Sequence, residues 1–216
     1  MRTLVSTFGP EDLERVITAM RALPYDRMVL VGEPGADTSE AFSQLKSVEE
    51  FSGHRLEFQG VGGTDFLGLV DDVSQVISSR LRDPETGARQ DVSINISGGS
   101  KLLGDAALFA AFRMGVSAYL CDGKVVKLPV VSGATPRDRF TSVQTKLLGV
   151  IGVGCALDEA IERMKPGSRQ ASERVVRELK KASLIRADVK EGRVFLIPTD
   201  EGCEVLRALT LLGSPG

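Results

Sequence analysis

The sequence predicts an α/β chain: a mostly parallel sheet with an antiparallel hairpin at one edge, followed by a small helical module that carries a second hairpin. Two observations carry this. Through residue 115, short β-branched runs alternate with segments of three-and-four apolar spacing, the pattern of strand-helix-strand units whose sheet is covered on both faces. Beyond residue 142 the alternation stops, and three helical segments, a hairpin and a last helix follow.

The first strand is RTLVSTF (2–8), ending at Phe8-Gly9-Pro10. A helix over 11–22 is expected next, with Pro10 at its start and Glu11 and Asp12 in a first turn that suits the helix dipole. RMVLVGE (27–33) reads as strand, 37–51 as helix and HRLEFQG (54–60) as strand. Thr64 and Asp65 offer capping oxygens before Phe66, Leu69, Val70, Val73 and Ile77, which share one helical face. After the break at DPETG (83–87) come a strand, DVSINI (91–96), a tight loop, SGGSK (97–101), and a helix over 102–115. Two strand-like runs then flank Asp122-Gly123, a strong hairpin signal. This front part, 1–131, is Rossmann-like in the broad sense. VSGATPRDRF is rich in turn-formers and charge, which places a linker at 132–141 and a second domain at 142–216.

In that second domain Val143, Leu147, Leu148 and Ile151 mark one helix, and Leu157, Ala160, Ile161 and Met164 another. Pro166-Gly167 makes a turn, and Ser168 caps a third helix reaching about Ala182. LIRADV and RVFLIP flank Lys190-Glu191-Gly192 as a hairpin, and Thr199 caps a final helix over 200–212. Three helices, a hairpin and a helix form the winged helix-turn-helix order.

Composition narrows the function classes. The apolar fraction of 42% is that of an ordinary globular protein, and no apolar run is long enough to span a bilayer. The start, MRTLVSTFGPEDL, lacks the basic-then-apolar design of a signal peptide, so a cytoplasmic chain without membrane contact is expected. Cys121, Cys155 and Cys203 are too scattered for a disulfide framework or a metal site. Residues 1–141 hold 15 Lys and Arg against 19 Asp and Glu, and 142–216 hold 12 against 10, so only the back part has a basic balance that suits nucleic acid.

In the third helix of the back domain Ala171, Val175, Leu179 and Ala182 are expected to face the core, leaving Arg169, Gln170, Glu173, Arg174 and Arg177 outward. Arginines and a glutamine near a helix start are what reading base edges and gripping phosphates requires, although a solvated helix face looks the same. Ser168 at the helix start and Arg193 at the hairpin complete the candidate contacts to double-stranded DNA. The stretch ASERVVRELKKASLIRADVKEGRVFLIPTDEG resembles the recognition helix, wing and last-helix start of winged-helix regulators of the multiple-antibiotic-resistance repressor type.

In the front domain, the glycines of SGGSK let backbone approach a ligand, the helix start presents free N–H groups, and the hydroxyls and Lys101 can hold anionic or polar groups. A plain strand-to-helix turn needs the same glycines. The Walker spacing GxxxxGK[ST] and the dinucleotide GxGxxG are both absent. Gly32, in Gly32-Glu33-Pro34-Gly35, leaves another strand end that can help line a site. His54, the sole histidine, has no nucleophile or carboxylate cluster near it in sequence, so no catalytic residue, metal or cofactor is expected and the chain is not read as an enzyme.

INISGGSKLLGDAALFAAFRMGVSAYLCDG resembles the second ligand motif of the CRISPR-associated Rossmann-fold sensor (CARF) domains, and VSTFGPEDLERVI is similar to their first. Together with the back domain, the chain resembles archaeal CRISPR transcriptional regulators that join such a domain to a winged helix. The resemblance implies a homodimer that binds a cyclic oligoadenylate across its two-fold axis, with cyclic tetra-adenylate the first choice of ring. By position, Ser97, Gly98, Gly99, Ser100 and Lys101 would carry phosphates and ribose, and Thr7, Phe8 and Gly9 would form the other lip. The apolar helix LLGDAALFAAF independently asks for more cover than one sheet face gives, which also suits a dimer. The expected function is ligand-responsive DNA binding. A ring nuclease that cuts the same ligand and a winged helix that docks protein are the alternatives.

Overall fold

The computed structural model describes residues 1–63, 65–129, 139–164, 169–190 and 192–211, and the chain divides into two compact units, Met1–Ala134 and Thr135–Gly216. Thr64, Ser168, the Pro166-Gly167 turn, Glu191 and most of 132–141 lie outside the described residues.

The first unit holds strands β1 (Arg2–Thr7), β2 (Arg27–Gly32), β3 (Arg55–Gly60), β4 (Asp91–Asn95), β5 (Ser117–Asp122) and β6 (Lys124–Lys127). They form one sheet in the order β3-β2-β1-β4-β5-β6, parallel through β5, with β6 turned back on β5 at Gly123 in the left-handed region. The mostly parallel sheet with an edge hairpin is the one the sequence predicts. Helices α1 (Leu13–Ala22), α2 (Glu40–Ser52), α3 (Phe66–Ser78) and α4 (Lys101–Met114) make the crossovers. Central strands of such a sheet are buried on both faces, which is why β1 and β2 read as unbroken apolar runs. Leu4, Met28 and Leu30 pack with Val16 and Ala19 of α1 and Ala41 and Leu45 of α2. Val5, Val29, Val31 and Ile94 alternate with that set and are fully buried as well, while α3 and α4 pack together and α4 lies against β1 and β5.

The caps correct several boundaries. Pro10 and Glu11 form a turn ahead of α1 instead of its first turn, and Asp12 stands at the N-cap without capping its own helix. A 3₁₀ turn, Ala36–Thr38, delays α2 until Ser39 accepts the Phe42 N–H at 3.2 Å. Asp65 caps α3 through the Gly68 N–H at 2.7 Å, and Ser100 caps α4 through that of Leu103 at 3.3 Å.

The second unit contains α5 (Ser142–Ile151), β7 (Cys155–Ala156), α6 (Leu157–Arg163), α7 (Arg169–Lys181), β8 (Ile185–Lys190), β9 (Arg193–Pro198) and α8 (Asp200–Leu211). Thr141, read from sequence as linker, is the N-cap of α5 and exchanges hydrogen bonds with Gln144 in a capping box. Strand β7 has no counterpart in the sequence reading, because two residues show no alternation; its place comes from pairing with β9 in a sheet ordered β7-β9-β8. The core gathers Leu147, Leu148, Ile151, Ala160, Met164, Leu179, Leu184, Ile185 and Leu196. On α7 the inward stripe is Ser172, Val175, Val176 and Leu179, an i, i+3, i+4, i+7 set. Ala171 and Ala182, expected inside, are exposed, since that stripe leaves no room for a four-residue ladder beginning one position earlier.

Helix α7 ends with Ser183 at φ 59 and the Leu184 N–H bonded to the Leu179 carbonyl at 3.0 Å. Thr199 joins this corner to α8, donating to the Ser183 carbonyl at 2.6 Å and accepting the Gly202 N–H at 3.1 Å. A Cβ on Gly202 would lie 2.0 Å from the Leu184 carbonyl oxygen, so α8 docks on bare backbone. Among the described residues no helix is long and apolar enough to cross a membrane. Gly202→Ala is expected to destabilise the second unit by about 2 kcal/mol or more, as overpacking against fixed backbone does. A urea titration of the full chain followed by circular dichroism checks this, and an unchanged midpoint would contradict the docking described.

Candidate functional site

Strand β1 continues to β2 on one side and has β4 on the other, so the strand order reverses between β1 and β4. Carboxyl ends of the strands at such a reversal leave a crevice, because the loops that follow them run in opposite directions. An open cleft of about 460 Å³ lies here, lined by residues 8–12 after β1, 33–36 after β2, Gly99, and Ser100 and Leu103 at the start of α4.

Its floor is built by two loops in unusually close contact. The Gly98 N–H donates to Thr7 Oγ1 at 3.0 Å, and the Thr7 hydroxyl donates to the Asn95 carbonyl at 3.4 Å. Asn95 donates to Ser6 Oγ at 2.9 Å and accepts the Ser97 N–H at 3.2 Å. The Ser97 hydroxyl accepts the Cys121 N–H at 2.5 Å, tying the loop to β5. A Cβ on Gly98 would sit 2.2 Å from the Thr7 carbonyl oxygen, and one on Gly32 2.7 Å from that of Phe8. Gly99 lies in the left-handed region at φ 74.

The structure thus sorts the residues chosen from sequence. Phe8, Gly9, Gly99 and Ser100 line the cleft, Phe8 by its backbone, since its side chain is in the core. Thr7, Ser97 and Gly98 lie beneath, their polar groups already engaged with one another's strands. Gly32 packs on the Phe8 carbonyl, and its successors line the cleft in its place. Lys101 is exposed at the first position of α4, outside the lining. Ser100 serves the Leu103 N–H, so the backbone donors left facing outward at this helix start are those of Lys101 and Leu102.

Sequence reasoning missed the carboxylates. Glu11, Asp12 and Glu33 all line the cleft. Asp12 Oδ2 accepts the Gly99 N–H at 2.9 Å, and its Oδ1 accepts from Arg15 Nη1 at 2.6 Å. Arg15 also donates to the Ser97 carbonyl at 3.2 Å and pairs with Asp122 of the hairpin at 3.4 Å. The Asp12-x-x-Arg15 spacing was the available signal, masked by reading Asp12 as a helix-dipole residue.

In the second unit Arg169, Gln170, Arg174, Arg177 and Arg193 are all exposed, and Ser168 is outside the described residues. Arg169 bonds Glu173 at 2.9 Å and Asp158 at 3.0 Å, and Arg174 bonds Glu178 at 3.0 Å. Arg177 reaches only the Glu173 carbonyl, at 3.4 Å, and has no carboxylate partner among the described residues. Exposed pairs of this kind contribute little to stability.

Elsewhere, buried Glu49 accepts from the Tyr25 hydroxyl at 2.7 Å and lies 3.6 Å from His54 Nδ1, at the opposite end of the sheet from the cleft. Burial and this bond push the Tyr25 hydroxyl well above the usual phenol range, and burial pushes the Cys121 thiol up to about 11. Among the described residues no group of three His, Cys, Asp or Glu could hold a metal ion.

No family model matches the chain, and no curated protein does. Among solved structures, Enterococcus italicus Csm6 bound to cyclic hexa-2′-fluoro-hexa-dAMP aligns over 85% of this chain and 56% of its own, at 12% identity and a TM-score of 0.49. Can2 from Sulfobacillus thermosulfidooxidans in complex with cyclic tetra-adenylate aligns over 99% and 64%, at 15% identity and a TM-score of 0.42. Bordetella bronchiseptica BpsR, from a structure on regulation of its DNA binding by 6-hydroxynicotinic acid, aligns over 38% and 67%, at 15% identity and a TM-score of 0.31. The chain spans less than two thirds of the Csm6 and Can2 chains, and at these scores no residue role carries over.

The close contact beneath the cleft has a direct consequence. Gly98→Ala must push β1 and the loop after β4 apart, and is expected to cost about 3 kcal/mol, the upper end for overpacking. Thermal unfolding of the variant checks this; a loss under about 1 kcal/mol would show that the two loops yield freely.

Proposed function

We propose that the chain is a ligand-responsive DNA-binding transcriptional regulator of a CRISPR-Cas system. Residues 1–131 sense a cyclic oligoadenylate, with cyclic tetra-adenylate the first choice, and residues 142–216 form a winged helix-turn-helix that binds double-stranded DNA. One observation carries the reading. The SGGSK loop and the loop after β1, the two segments that resemble the CARF ligand motifs, lie side by side at the switch-point cleft, with the start of α4 in its lining. Helix starts favour anions through unpaired N–H groups and the dipole, and Lys101 adds a cation there.

The homodimer is part of the proposal. Helix α4 buries Leu103, Ala106, Ala107, Ala110, Ala111 and Met114, yet leaves Leu102 and Phe109 half exposed, with Phe109 edge-on to Phe66 of α3 and Leu67 next to it in sequence half exposed as well. A second copy on this apolar face would bring two clefts to one axis, the symmetry a cyclic polyanion offers. Ligand that binds one arrangement of the sensor pair better than the other would then bias the spacing of the two reading helices.

Two outcomes are expected. Changing Arg174 and Arg177 together to Ala should lower DNA affinity at least tenfold and flatten its salt dependence by about two phosphate contacts, with the fold intact. Fluorescence anisotropy across a salt series reads this, and an unchanged slope would remove α7 as the reader. Lys101→Ala should weaken cyclic tetra-adenylate by about 1 to 3 kcal/mol while leaving ligand-free DNA affinity unchanged, since one charge-assisted hydrogen bond is lost. Calorimetric titration with cyclic tetra- and hexa-adenylate, with sedimentation of the same samples for the dimer, decides between a sensor and a plain turn.

A further inference from the structure

The amino end of the first unit's sheet, opposite the cleft, gathers arginines. Arg27 opens β2 and Arg55 opens β3, and the parallel register sets the two directly side by side. Arg80, just past the end of α3, reaches the same strand pair. All three converge on one carboxylate: Arg80 Nη2 lies 2.9 Å from Glu57 Oε2, while Arg55 Nε and Arg27 Nη1 lie 3.2 and 3.9 Å from Oε1. Among the described residues no other carboxylate pairs with any of the three. Asp26 is taken by Arg2, and Asp83 accepts from the Glu85 and Thr86 N–H groups and the Gln90 amide.

Three guanidinium charges therefore share one carboxylate charge. Arg27 and Arg80 each keep only 18% of the side chain exposed, so their mutual repulsion acts through partly desolvated space. Arg27 Nε is buried without a partner, and its Nη1 is too far from Glu57 for a hydrogen bond. Arg55 is exposed and makes only its Nε ion pair, so both of its Nη groups are without a partner among the described residues. Two residues beyond Arg80, exposed Arg82 stands opposite exposed Arg89 across an antiparallel bridge, a second like-charge pair that costs stability by itself. A tie between strands needs one of these cations, whereas planar forks in this number match the several acceptor oxygens of a phosphate. We propose that Arg27, Arg55 and Arg80 form an anion site, separate from the cleft, that takes a phosphate group, either free or carried on a nucleic-acid backbone.

Calorimetric titration of the full chain with pyrophosphate tests this in wild type, Arg55→Gln, Glu57→Gln and Lys101→Ala. Arg55 is exposed, so its variant should keep the wild-type melting temperature. Wild type should bind pyrophosphate saturably, and Arg55→Gln should weaken that binding at least about fivefold, through loss of one charged partner. Glu57→Gln, which removes the competing charge, should tighten it. The Arg55-dependent binding should persist in Lys101→Ala, whose charge is lost at the other end of the sheet. Fluorescence anisotropy of the same proteins with a DNA duplex separates the two sources. Loss of about one phosphate contact from the salt slope in Arg55→Gln assigns the nucleic-acid backbone, and an unchanged slope beside weakened pyrophosphate assigns a free anion. No saturable binding by wild type, equal affinity in Arg55→Gln, or disappearance of the binding in Lys101→Ala overturns the site and leaves the arginines as ties between β2, β3 and α3.

Discussion

The contact on which the cleft depends is the approach of two backbones where β1 and β4 end. Gly98 lies so close to the Thr7 carbonyl that no side chain fits between them, and the Thr7 hydroxyl bridges the same gap from Gly98 to Asn95. Because the loops touch there, Gly99 comes within reach of Asp12, and Asp12 within reach of Arg15. From that point Arg15 extends the connection to Ser97 and to Asp122 in the hairpin. A floor made of mutually satisfied polar groups is rigid, since any opening strands buried donors and acceptors at once. The cleft above it is therefore held in shape by the fold itself.

Much of this architecture was legible because the physics is local. Buried parallel strands must be apolar throughout, so β1, β2 and β4 declared themselves, and Asp122-Gly123 fixed the edge hairpin. The caps at Asp65 and Thr199 were equally readable, each being a short oxygen-bearing side chain placed before an apolar period. What escaped depends on partners far off in sequence. Asp12 looked like a first-turn acid until Gly99, brought in from β4, claimed its carboxylate. The Cys121 N–H that Ser97 accepts comes from β5, a partner no local spacing announces. Strand β7 exists only because β9 lies alongside it.

The second unit shows the same division between face and partner. Which side of α7 faces solvent follows from the helix period, apart from a one-residue shift that exchanges Ala171 for Ser172 in the buried stripe. That Arg169 and Arg174 arrive already bonded to Glu173, Glu178 and Asp158 is a matter of side-chain reach across one turn and from α6. Arg169 and Arg174 are therefore paired at rest, while Arg177 has no carboxylate partner among the described residues.

The placement of β1 at the centre of its sheet governs the order in which the chain can mature. One edge of β1 pairs with β2, about two dozen residues on, but the other waits for β4, which begins at residue 91. While the chain is being made, that second edge is an open row of backbone donors and acceptors beside apolar side chains, the arrangement most prone to stray pairing. Arrival of β4 fills the edge, seats α4 and assembles the cleft in the same event, so the unit gains the α4 side of its core and its site together. A nascent chain stalled before residue 91 can pack the face under α1 and α2 but has no site, and the long-range closure of β1 on β4 makes this half slow to fold compared with the second unit.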